Sequence, residues 1–83
     1  MAKKATRYDS DPGLVLASWR NQTGKRLIVS RNNGYGRKVH IRLWLRNDKG
    51  AYYPTRKGVT VGAAELKKLR GAVRKAIEMC END

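Results

Sequence analysis

The sequence predicts an α+β fold: four antiparallel β-strands followed by one C-terminal amphipathic helix. Three observations predict it. Val39, Ile41, Leu43 and Leu45 alternate with polar or aromatic neighbours, the period of a strand with one face on a core. Asn- and Gly-rich groups at 21–24, 32–36 and 47–50 divide the first sixty residues into short runs. After Gly62 the apolar residues recur at three- and four-residue steps, the period of a helix. Short turns make the sheet antiparallel, and the helix is expected to cover its apolar face.

Residues 1–13 hold Lys3, Lys4 and Arg7 beside Asp9, Asp11, Pro12 and Gly13, a composition too polar for a core that reads as a flexible arm. Leu14 to Trp19 is the first strand, and Asn21 to Gly24 supplies its turn. Lys25 to Asn32 is the second strand, with Leu27 and Val29 on one face and Arg26, Ile28 and Ser30 on the other. The third strand, 39–46, follows a loop at Asn32-Asn33-Gly34-Tyr35-Gly36, and Asn-Gly is a strong hairpin signal. Asn47-Asp48-Lys49-Gly50 closes it. Pro54 predicts a bend or an edge position, because proline donates no ladder hydrogen bond. Val59 to Val61 is a short final strand. Leu66, Leu69, Val73, Ala76, Ile77 and Cys80 line one face of a helix from about Ala63 to Met79, with Lys67, Lys68, Arg70, Arg74 and Lys75 around the others. Glu65 suits the positive N-terminal end of that helix. Gly71 costs about 1 kcal/mol relative to Ala in mid-helix.

Eighty-three residues make one domain with a thin core, so two chains sharing a sheet or helix face would be better buried than one. Nineteen Lys and Arg against seven Asp and Glu give a net charge of +12, well beyond the roughly 2–8 that solubility asks of a small domain. Three of the seven acids, Glu78, Glu81 and Asp83, form an acidic end, so the body is more basic still. Such an excess attracts polyanions. An anionic membrane would favour a basic helix with aromatic residues on its apolar face, and the helix here has none. No apolar run approaches the roughly 18 residues of a membrane span, and no secretory signal follows Met1. One cysteine, Cys80, excludes an internal disulfide framework, and no Cys/His metal cluster is present. His40, the only histidine, has no carboxylate or nucleophile at readable spacing, and no acidic pair suggests metal-assisted cleavage. The expectation is a binding protein, not an enzyme, with no cofactor and no metal.

Single strands are held by a positive groove along the phosphates and by aromatic side chains on which bases stack. The polar face of the third strand reads His40, Arg42, Trp44, Arg46, and offers both. Tyr35, between two glycines and followed by Arg37 and Lys38, is a second candidate stacking residue. Arg56-Lys57-Gly58 sets two charges beside a residue that lets backbone approach phosphate. Trp19 and Tyr52 are expected in the core or at an interface, and Tyr53 fits either role.

Ile41-Arg42-Leu43-Trp44, Asn47-Asp48-Lys49-Gly50 and Pro54-Thr55-Arg56-Lys57-Gly58-Val59-Thr60-Val61 together resemble the transcriptional coactivator positive cofactor four family. The likeness covers about residues 14–80, and its most specific element is Pro-x-Arg-Lys-Gly. It implies a curved four-stranded antiparallel sheet plus helix, paired into a homodimer. It also implies channels for single-stranded DNA or melted duplex. Arg42 would meet the DNA backbone, and Arg56, Lys57 and Gly58 would line the channel. Tyr35, Arg37 and Lys38 correspond to the family's aromatic-and-lysine loop, with a small gap. The family's stacking tryptophan falls one place later, where this chain has Leu45.

The expected organisation is an arm at 1–13, a single-stranded DNA-binding domain at 14–80 and an acidic end at 81–83. The expected setting is intracellular: bacterial cytoplasm or nucleoid, a phage-infected cell, or a nucleus. The expected work is in replication, recombination, repair or transcription. The alternative is an RNA-binding or ribosome-associated basic protein.

Overall fold

The alternating and helical periods are realised as five elements. The computed structural model describes residues 6–32 and 38–82. Strands β1 (Leu14–Arg20), β2 (Arg26–Arg31), β3 (Val39–Arg46) and β4 (Tyr52–Val61) precede helix α1 (Ala63–Glu81). The strands form one sheet in the order β1-β2-β3-β4, every neighbour antiparallel. This is the α+β fold the sequence predicts.

Two asparagines build the tight turns in the same way. Asn21 Oδ1 accepts from the backbone N–H of Thr23 and Lys25, and Asn47 Oδ1 accepts from those of Lys49 and Ala51. Each turn ends on a glycine in the left-handed region, Gly24 at φ 83° and Gly50 at φ 82°, where a Cβ is strained. The longer β2–β3 connection falls partly outside the described residues, together with Tyr35 and Arg37.

β4 is longer than Val59–Val61. It begins at Tyr52 and runs through Pro54, which is tolerated because β4 is an edge strand, as the proline itself predicts. The pairing with β3 jumps from Arg42↔Gly58 to Trp44↔Pro54, so Thr55, Arg56 and Lys57 together face only Leu43. That bulge hides the strand's continuity from a period-of-two reading.

The buried cluster lies on the face opposite to the one the sequence suggests. Register places Arg26, Ile28 and Ser30 beside Trp44, Arg42 and His40 on one face. Ile28, Trp44 and Tyr52 form the core there, with Tyr8 and Val15 packed against it. On the other face Ile41, Leu43 and Leu45 of the aliphatic stripe are only half-buried, while Val39 at its end is buried. Tyr8 decides this: its ring meets Trp44 edge-on at 5.6 Å between centroids. It is fixed by Asp9 N–H to the Tyr52 carbonyl and Tyr52 N–H to the Arg7 carbonyl, both 2.8 Å. Asn47 Nδ2 donates to Asp9. The expected polar arm therefore docks over Arg7–Asp9, where it pairs with the outer edge of β4 at Tyr52.

The helix does not cover the sheet as expected. α1 has no buried residue and packs along none of the strands. Gly62 alone separates it from β4, and one residue is too short a connection to turn a helix back over the strand it leaves. Val73 and Ile77 on its apolar side are exposed.

Candidate nucleic-acid interface

A basic surface feature of the sheet is built by the bulge in β4, and three bonds give it its shape. Thr55 Oγ1 donates to the Leu43 carbonyl at 2.7 Å and accepts from Lys57 N–H at 3.2 Å. Arg42 Nη1 donates to the Thr55 carbonyl at 2.8 Å. At the end of the bulge Gly58 lies against β3, where a Cβ would come within 2.7 Å of the Ile41 carbonyl oxygen and 2.8 Å of Arg42 Cα. Arg56 and Lys57 are left exposed on a backbone held from both sides.

These two cations border a groove of about 280 Å³ lined by Lys25, Leu43, Leu45, Thr55, Arg56 and Lys57. Its floor is the upper half of the aliphatic stripe. Three ammonium or guanidinium groups around an apolar floor can neutralise phosphates while accepting the flat faces of bases.

The predicted residues separate in space. Arg56, Lys57 and Gly58 come together at the bulge, and Arg42 reaches it through its guanidinium. His40 lies further along β3, its Nδ1 paired with Thr60 Oγ1 at 2.9 Å. Arg46 and Lys38 are exposed at the two ends of β3. Trp44 is 5% exposed, enclosed by Tyr8, Ile28 and Tyr52, and offers no open ring face. It differs here from the expected stacking platform because the face it shares with Arg42 is the core face. Leu45, where the family's stacking tryptophan falls, faces the groove. Sequence reasoning missed Lys25 and the aliphatic floor. Both carry the parity of Leu27 and Leu43, so the signal was present but was assigned to the core.

The core face carries its own cations. Arg26 donates to Ser18 Oγ at 2.8 Å and lies 5.3 Å above the Tyr52 ring, and its Nε is buried with no hydrogen-bond partner among the described residues. Hydrogen bonding from Arg26, and more weakly from Arg20, holds the Tyr52 phenol below its ordinary pKa against the opposing effect of burial.

An open antiparallel sheet, one terminal helix and a cationic groove make a small domain with a surface suited to a polyanion. The profile of the family described as Transcriptional Coactivator p15 (PC4) matches residues 19–72, from the end of β1 into α1 and more than half of the chain. The chain belongs to that family, and DNA-binding in the broad sense follows from membership. Comparison with curated proteins and with solved structures found no match. No helix among the described residues is long and apolar enough to cross a membrane.

Proposed function

We propose that this protein binds single-stranded DNA, or the strands of melted duplex, with little sequence preference, as a homodimer without catalytic activity. One observation carries the reading: the fixed bulge that exposes Arg56 and Lys57 beside an apolar groove shared with Lys25. In a duplex the base faces are stacked away from solvent, so an apolar floor between cations gains little from it. An unpaired strand brings phosphates and base faces together, and both find partners. Lys38, Arg42 and Arg46 extend the positive surface, and Tyr35 and Arg37 are proposed to contribute from the β2–β3 loop. A second copy of the chain would cover the apolar side chains left exposed at Leu14, Val59, Val73 and Ile77. The setting would be intracellular, in replication, recombination, repair or transcription.

Fluorescence anisotropy with labelled oligo-dT, competed by unlabelled duplex DNA and by oligo-U, tests the reading. Oligo-dT should be displaced poorly by duplex, and the mass of the complex should correspond to two protein chains. Equal or better competition by duplex contradicts the single-strand reading. Better competition by oligo-U assigns the groove to RNA.

A further inference from the structure

Trp44 is enclosed, and Leu45 supplies no aromatic ring to the groove, so β3 brings no stacking platform to it. The sheet register places two on the same face of the sheet, outside the groove's own lining. Trp19 pairs with Leu27, and Leu27 pairs with Leu43. Directly opposed residues of neighbouring strands share a face, so the indole of Trp19 stands on the groove side of the sheet. Leu45 pairs with Tyr53, which puts that ring on the same side at the opposite edge. Trp19 is 49% exposed and Tyr53 38% exposed, against 5% for Trp44.

We infer that Trp19 and Tyr53 are the base-stacking residues of this surface, one at each border of the groove; this rests on the single-strand reading above. The two edge strands are separated by three strand spacings, roughly 14 Å. A single strand crossing the sheet meets the Trp19 indole at β1, then Leu27 and Leu43, and reaches Tyr53 beside Arg56 and Lys57 at β4. Neither ring belongs to the buried cluster. Cations lie beside the row at Lys25 and on the bulge, so phosphates are neutralised where the bases are stacked.

The test uses the full chain and oligo-dT, following both anisotropy and tryptophan emission. Trp19→Ala should weaken binding about 5- to 150-fold, the range for one stacked base, with Trp19→Phe between it and the natural protein. Tyr53→Ala should weaken binding over the same range. Oligo-dT should quench the emission of the natural protein, and the quench should vanish in Trp19→Phe, whose remaining indole is the enclosed Trp44. If the natural protein binds oligo-dT but Trp19→Ala and Tyr53→Ala bind as tightly, the stacking assignment is wrong and the single-strand reading stands. If Trp19→Ala loses binding together with a change of oligomeric mass, Trp19 is an interface residue and the assignment is again wrong. If the natural protein shows no preference for oligo-dT over duplex, both readings fall.

Discussion

A methyl group at position 58 would press on the β3 backbone, with the Ile41 carbonyl oxygen and Arg42 Cα both inside 3 Å. Backbone cannot rotate aside as a side chain can. Gly58→Ala is therefore expected to cost about 1–3 kcal/mol, the usual range for overpacking. At roughly 4–8 °C per kcal/mol the thermal midpoint should fall by several degrees; an unchanged midpoint would show that the strands separate freely here. Tyr52 gives a pH signature at the same scale. Its phenol is held below the ordinary value of about 10 by Arg26 and Arg20. Because the folded pKa is depressed, the contribution begins as pH rises through the folded value and is complete above the unfolded one; it is lost as pH falls back. The natural protein should thus gain stability relative to Tyr52→Phe as pH rises through that window, which closes near the ordinary phenol value. Parallel denaturation curves for the two would contradict the Arg26–Tyr52 contact.

The two asparagine turns look alike but carry different loads. Both use Oδ1 to hold the turn, and Asn47 alone spends its Nδ2 on Asp9. Asn21→Asp keeps the acceptor and should stay within about 0.5 kcal/mol of the natural protein. Asn47→Asp keeps the acceptor, loses the bond to Asp9 and sets two carboxylates together, so it should cost about 1 kcal/mol or more. Urea midpoints for the pair measure the docking of the N-terminal segment; equal effects would mean that segment adds no stability. The turns and four strand positions were legible because Asn, Gly and a period of two are local signals. The full length of β4 was not, since Pro54 and a three-residue bulge both read as the end of a strand. The helix was legible in its period, but its failure to cover the sheet came from the single-residue link at Gly62.

At the scale of the molecule, which face becomes the core depends on residues far apart in the chain. Each face of β3 carries large apolar side chains, aliphatic on one and tryptophan on the other, so alternation alone could not choose. Tyr8 and Tyr52 made the choice by closing over Trp44. Arg56, Lys57 and Gly58 were legible as a site because they are contiguous. Lys25 and the leucine floor were not, because they join the site only through the register of three strands. The far end of the groove face, at Leu14 and Val59, and the apolar side of α1, at Val73 and Ile77, leave apolar surface that the proposed second copy would bury. The central claim is that the bulge and its groove hold the phosphates of a single strand, and it is tested most directly by salt dependence. The anisotropy of oligo-dT binding should be measured over a range of salt for the natural protein and for the Arg56→Gln, Lys57→Gln double variant. The slope of log affinity against log salt should become shallower by about 1.4, which is about 0.7 for each phosphate no longer neutralised. An identical slope and affinity in the double variant would contradict the account and send the phosphates to another face.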